Sequence, residues 1–281
     1  MKYLNLGCGS RYHSSWKNVD FNMTGSDVIA CDLTVGIPFS SNSFDVIYHS
    51  HLLEHFSKYQ ASIFIDECYR VLNPNGIIRV VVPDLEQISR SYIFALEQAI
   101  AGLPESSDSY NWLLVEMLDQ MTRNFSGGEM FTYLTQEHIP NKDFVLKRIG
   151  TEAQKLIEVG RHQRQFITSD SWVKKTFRPF YKFLKDSDYR WDSFLKVLLS
   201  SRDYQSLQIG RFRQSGEIHQ WMYDRYSLAR LLSQHGFVNI IQQTASNSYI
   251  ADWPSFNLDT ESDGTTYKPD SLYIEAVKPL L

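Results

Sequence analysis

Residues 3–21 read YLNLGCGSRYHSSWKNVDF. A short apolar run, Tyr3–Leu6, breaks into Gly7-Cys8-Gly9, and a second strand-like piece, Val19–Phe21, follows about a dozen residues later. Glycine admits positive φ and lets a ligand approach the backbone closely. In open α/β sheets ligands bind beyond the carboxyl ends of strands, so two glycines directly after the first strand mark a binding loop. A dinucleotide site would continue into a third glycine and a helix N-terminus facing the pyrophosphate. Ser10, Arg11 and Tyr12 follow instead, which argues for a ligand with no diphosphate. The interval Ser10–Asn18 is too short for a helix with its connections, so a loop carrying Tyr12, His13 and Trp16 is expected there.

The pattern continues outward from this stretch. Asp27–Cys31, Phe44–His49 and Ile77–Val82 read as further strands, the last apolar enough for a sheet covered on both faces. Tyr59–Leu72 has helical spacing and is stopped by Asn73-Pro74-Asn75-Gly76. From residue 86 to about 217 the pattern is helical: SRSYIFALEQAIAGL, NWLLVEMLDQM and WVKKTFRPFYKFLK, the last broken at Pro179. Asp224 is suited to cap YSLARLLSQH, Gly236 to end it, and Phe237–Gln242 and Leu272–Val277 complete the sheet. The fold class expected is α/β: a Rossmann-like, doubly wound seven-strand sheet with the last strand antiparallel and a large helical insertion. Residues 1–86 and 218–281 would form the sheet domain and 87–217 the insertion, serving as a lid, an acceptor-recognition unit or an oligomerisation surface.

Composition bounds the function. The 281 residues carry a net charge of −4, which does not suggest a nucleic-acid binder. Three cysteines, Cys8, Cys31 and Cys68, without a C-x-x-C pair indicate neither disulfides nor a zinc site. Reduced thiols, no long apolar run and no signal peptide point to a cytoplasmic protein; Leu4–Gly9 already belongs to the fold, so cleavage there would destroy it. Charge in the insertion is asymmetric: nine acidic residues against Arg90 and Arg123 from Asp84 to Glu137, then thirteen basic against six acidic from Lys147 to Arg202. Trp172, Phe177, Phe180, Tyr181, Phe183 and Trp191 in the basic half read more simply as a helical core than as a stacking platform.

LNLGCGS, NVD, DL, PFSSNSFDVIYHSHLLEH, CYRVLNPNG and RVVVPDLE, in this order, resemble the class I S-adenosylmethionine-dependent methyltransferases, in a type 11-like subgroup with a short N-terminus. The resemblance covers residues 3–86 and returns over 219–278; the insertion resembles nothing. It implies S-adenosylmethionine as cofactor. The Gly7-Cys8-Gly9 turn would approach its methionine part, Asp20 would bind its ribose and Asp32 its adenine end, the segment from His49 through Ser50 to His51 would flank the cofactor and the methyl group, and Asn5, Phe21 and Leu33 would complete the cofactor-binding residues. Singly, these signals are weak, since an isolated Asp is more often a turn or cap residue.

Methyl transfer to a hydroxyl or ammonium needs a base. His51, Asp84 and His219 are the candidates, with Arg213 and Tyr223 as substrate-binding residues. His55 reads as a turn residue and Glu54 as a helix or turn residue. No metal site is expected: no metal-ligand spacing appears, and the His49 and His51 imidazoles are expected on opposite faces. The acceptor expected is a small molecule or glycan-type compound, suited by an anionic group, with O-methylation favoured. Three rivals stand: an inactive partner protein of the same fold, an NAD-linked oxidoreductase disfavoured by the absent phosphate loop, and a protein or RNA methyltransferase using the basic insertion.

Overall fold

A computed structural model describes residues 1–167 and 187–280. Seven strands form one sheet in the order β3-β2-β1-β4-β5-β7-β6. They are β1 Tyr3–Leu6, β2 Lys17–Asp20, β3 Val28–Ala30, β4 Phe44–Ser50, β5 Leu72–Pro83, β6 Val238–Gln243 and β7 Ser271–Val277. β1 to β5 run parallel; β7 is antiparallel to both β5 and β6. The order reverses between β1 and β4, where the sheet opens a crevice beyond its carboxyl edge. Both strands of that switch point end at the stretches singled out above: β1 at Gly7, β4 at His51.

Alternation along the strands divides the core. Leu4, Leu6, Val19, Ile47, Ile78, Val80 and Ile274 face helices α1 (Lys58–Val71) and, later in the chain, Arg225–Gln234, meeting Phe64, Ile65, Cys68, Leu228 and Leu232. Both helices are capped by side chains, the second by the Asp224 that the sequence suggests. Ser57 forms a capping box with Gln60, and Asp224 accepts from the Tyr226 and Ser227 amides. The opposite face is covered by aromatic loops. Trp16, from the loop that stands where a first helix would be, stacks on Tyr3 at 4.8 Å and meets Tyr48, Trp253 and Phe256 edge-on. Large rings bury much area per residue, which is how the loop over residues 7–16 substitutes for a helix.

That loop layer is fastened electrostatically. Arg79, wholly buried in β5, donates to Asp259 at 2.8 Å and Glu275 at 2.7 Å, and to the carbonyls of Asn247 and Thr244. Asp259 in turn accepts from the Tyr48 hydroxyl at 2.6 Å. Arg11 bonds the Leu258 and Thr260 carbonyls and lies 3.8 Å from the Tyr267 ring centre.

The middle of the chain is helical: α2 Leu85–Ile100, α3 Ser106–Thr122, α4 Gly128–Leu134, α5 Lys142–Ile149, α6 Thr151–Ile167, α7 Ser187–Leu198 and α8 Ser201–Arg213. The helix Arg225–Gln234 is α9. Helices α2 to α6 share their own core of Ala95, Trp112, Leu113, Leu134, Val145, Ile149, Ala153 and Ile157. Gly150, between α5 and α6, sits with φ +70° directly against the Tyr267 carbonyl and Pro269. A side chain there would collide with that backbone, so glycine lets the helical unit meet the loop before β7. The stretch WVKKTFRPFYKFLK, with Trp172, Phe177, Phe180, Tyr181 and Phe183, lies outside the described residues. Trp191 is 58% exposed and stacks on Phe194, so it is not the core residue expected. No helix among the described residues is long and apolar enough to cross a membrane.

Candidate active site

Beyond β1 and β4 lies a cavity of about 230 Å³ lined by Asn5, Gly7, Cys8, Gly9, Ser10, Arg11, Tyr48, Ser50, His51, Leu258, Tyr267 and Lys268. Gly7 adopts φ +65°, and a Cβ on it would stand 2.9 Å from Leu52 Cδ atoms. The positive φ calls for glycine here, and Leu52 would have to give way to any side chain. A Cβ on Gly9 would meet nothing within 4 Å, so the loop backbone is open on that side. The loop is held by β2: the Gly7 amide donates to the Val19 carbonyl at 2.8 Å, and the Gly9 amide to Asp20 Oδ2 at 2.8 Å. Asn5, buried, links the Arg11 carbonyl and Asn18. The Cys8 thiol is pushed up to about 12, first by burial and then by Asp20, so it is an inert wall.

A second chamber, of about 290 Å³, lies between the sheet edge and the helical unit. Its lining includes His51, His55, His219, Lys268 and Asp270 from the sheet domain, and Arg123, Met130, Phe131, Glu152 and Leu156 from the helices. His51 and Lys268 line both cavities. Lys268 pairs with Glu152 at 2.8 Å. Asp270 is buried, its Oδ1 has no hydrogen-bond partner among the described residues, and burial raises its carboxyl to about 6. Arg123 Nε is likewise buried without a partner among the described residues.

His51 turns out of the strand with φ +50°. Residues two apart on a regular strand share a face. The reversal at His51, rather than alternation, therefore separates it from His49. Its Nε2 lies 2.8 Å from Ser271 Oγ, and its Nδ1 3.3 Å from Glu54 Oε1 without hydrogen-bond alignment. Glu54 is fully buried. Burial opposes its charge, but His51, followed by His219 and His55, outweighs burial and holds the carboxyl down at about 2. His219 is buried edge-on to His55, and burial pulls its imidazole down to about 3, leaving it neutral.

Several residues singled out in the sequence sit elsewhere. His49 is fully buried against the Phe64 ring of α1, neither ring nitrogen has a hydrogen-bond partner among the described residues, and it does not line the cavity. Leu33 and Tyr223 are buried in the main core instead, Leu33 in the loop after β3 and Tyr223 just before the Asp224 cap. Phe21 is 69% exposed. Asp84 caps α2 through the Gln87 amide and lines neither cavity. Asp32 is at the surface in a turn with Thr34, and Asp20 supports the glycine loop from beside the cavity. Arg213, at the end of α8, reaches the Met121 and Arg123 carbonyls and borders a third, open cavity with His219. Tyr48, Leu258, Tyr267, Lys268, Asp270 and Glu152 were not singled out. Only the K-P-D triplet before β7 offered a local signal for two of them.

Residues 12–80 match the methyltransferase domain family. No curated protein matches the chain in sequence. Among solved structures, a SAM dependent methyltransferase from Archaeoglobus fulgidus is 10% identical, with 99% of this chain and 86% of that chain covered and a TM-score of 0.37. A complex of the Haloferax volcanii Trm112 methyltransferase activator with a methyltransferase is similar at 10% identity, covering 99% and 83%, with a TM-score of 0.38. The YcgJ protein from Bacillus subtilis is 9% identical, covering 100% and 92%, at 0.36. These likenesses are distant, and the sequence match to the family covers residues 12–80 of the 281.

Proposed function

We propose, from the premise that this chain carries a class I S-adenosylmethionine-dependent methyltransferase domain, that it methylates a hydroxyl of a small polar acceptor held under the helical unit. The observation that carries this reading is the sharing of His51 and Lys268 by the glycine-loop cavity and the chamber. One cavity suits a donor, the other an acceptor, and a two-residue boundary suits the line of transfer between them.

The glycine-loop cavity fits S-adenosylmethionine on its chemistry. Its floor is bare glycine backbone with no diphosphate cradle, and Leu258, Tyr48 and Tyr267 provide apolar and aromatic walls. When bound, S-adenosylmethionine supplies a methyl group already activated on a sulfonium. Gly7, Gly9 and Asn5 would hold its methionine end, and Asp20, which accepts from the Gly9 amide through Oδ2 and from the Asn22 amide through Oδ1, would keep the loop in register and bind the ribose. Asp32, exposed in the turn after β3, would serve the adenine end. The task left to the chain is alignment, exclusion of water and removal of one proton.

Asp270 is suited to the proton. A carboxyl near 6 is ionised at neutral pH yet basic enough to accept from a hydroxyl as the oxygen attacks. Arg123 Nε would orient the acceptor, and the Lys268–Glu152 pair would close the boundary between the cavities. The chamber mixes Arg123 and Lys268 with Glu152, Glu217 and Asp270, which favours a polar acceptor over a strongly anionic one.

Calorimetric titration with S-adenosylmethionine and S-adenosylhomocysteine, followed by transfer of a labelled methyl group to a panel of sugars, phenols and hydroxy acids, tests this. Binding that is lost in Gly7→Val, and product whose label resists base as an ether does, are expected. No heat with either ligand, or label found only on nitrogen, would overturn it.

A further inference from the structure

We propose that Glu54, His55 and His219 form a binding site for one divalent transition metal of the zinc type, opening onto the acceptor chamber. One donor atom from each of the three lies within 4.8 Å of the others, and His219 Nε2 is 3.9 Å from Glu54 Oε1. Glu54 is 0% exposed, and neither carboxylate oxygen has a hydrogen-bond partner among the described residues. The histidines around it favour its charge, but no hydrogen bond satisfies its oxygens, and a cation held between them would. His51 approaches Oε1 but is misaligned for a hydrogen bond and is already bonded to Ser271 at its other nitrogen.

The ligand states also fit. His55 Nδ1 faces the Ile218 carbonyl at 3.2 Å. A carbonyl only accepts, so Nδ1 carries the proton and the lone pair is on Nε2. A fixed tautomer with its outer N–H on a backbone carbonyl is the usual support of a metal-bound imidazole. The two sequence segments are clamped together around the donors. The Gln220 and Trp221 amides donate to the Glu54 carbonyl at 2.7 and 3.2 Å, Gln220 Nε2 to the His55 carbonyl at 3.0 Å, and the His219 amide to Gln120 at 2.9 Å. This framework fixes the backbone of all three ligands, so small side-chain rotations suffice to close the site.

Two imidazoles and one carboxylate suit zinc and its first-row neighbours rather than magnesium or calcium. Three protein ligands leave a fourth position. His55 and His219 line the chamber, so that position opens to water or to an acceptor oxygen there. Sequence inspection misses the set because Glu54-His55 and His219 are far apart in the chain, and an adjacent Glu-His pair has no metal spacing of its own.

Metal binding is read on resting protein and is independent of the methyl-transfer reading. Full-length protein is stripped with chelator and dialysed against Zn²⁺ or Co²⁺, and metal content, the visible cobalt spectrum and the thermal midpoint are measured. His219→Ala, the near-isosteric Glu54→Gln and the surface control His162→Ala follow, each checked for folding by circular dichroism. The expected result is about one equivalent of zinc, tetrahedral cobalt bands, and a midpoint raised by about 5 °C at a hundredfold excess over Kd. Content should persist in His162→Ala, and affinity should fall at least about tenfold in Glu54→Gln and His219→Ala. Wild-type protein that retains no zinc, or folded Glu54→Gln and His219→Ala proteins that retain it as wild type does, would overturn the proposal.

Discussion

Replacing Asp270 by Asn should make this protein more stable and less active, with a gain in stability that depends on pH. Burial raises the Asp270 carboxyl from its ordinary 3.8 to about 6. Between those values the folded chain binds more protons than the unfolded chain, so folding weakens as pH rises through the window. Above about pH 6 the penalty is complete: a rise of a little over two pH units corresponds to about 3 kcal/mol. Asn cannot ionise, so the variant escapes it. Stability relative to wild type should be unchanged near pH 3.5 and higher by up to about 3 kcal/mol at pH 8. For a chain of this size that is a midpoint difference of about 5 °C. Thermal unfolding of both proteins across pH 4–8 measures it. A difference that is constant with pH, or a variant less stable at pH 8, would refute the placement of an unpaired carboxylate in the chamber wall. Under the proposed reaction the same variant loses about 10²–10⁴ in kcat, because the group that costs stability is the one that takes the proton.

Further outcomes are expected elsewhere. Gly7→Val should abolish cofactor binding in calorimetry, because φ +65° is strained for valine and its Cβ meets Leu52. Asp20→Ala removes the acceptor of the Gly9 amide and should weaken S-adenosylhomocysteine binding by about 10–100-fold, the worth of a charge-assisted hydrogen bond, with little change in kcat at saturation. Arg79→Ala strands Asp259 and Glu275 in the core and should cost about 3–5 kcal/mol in urea unfolding, while Arg79→Ala combined with Asp259→Asn and Glu275→Gln should recover part of it. Asp84→Ala, by contrast, should remove a helix cap worth about 1 kcal/mol and leave the pH profile of activity unchanged.

The division between what could be read and what could not has a physical origin. Strand and helix periods, caps and turn residues act over a few positions, so the seven strands, α1, the Asp224 cap and the replacement of a first helix by a loop were all legible in the sequence. Gly7 and Gly9 were legible for the same reason, because a backbone demand at a strand end is written in the residue itself. Which way a strand-end side chain turns was not. The positive φ at His51 sends it into the boundary between the cavities while His49 stays under Phe64, and nothing in H-S-H announces that reversal. Asp84, Tyr223 and Leu33 carry plausible chemistry yet cap a helix or fill the core, since capping and burial depend on what packs opposite. The chamber itself belongs wholly to the tertiary structure. Glu152 meets Lys268 only because the helical unit folds back over the sheet, and Arg148 meets Glu116, as His219 meets Glu54, across long stretches of chain that only tertiary packing brings together. A lone carboxylate becomes a base, or a Glu-His pair a ligand set, when burial strips its water and long-range packing supplies its neighbours.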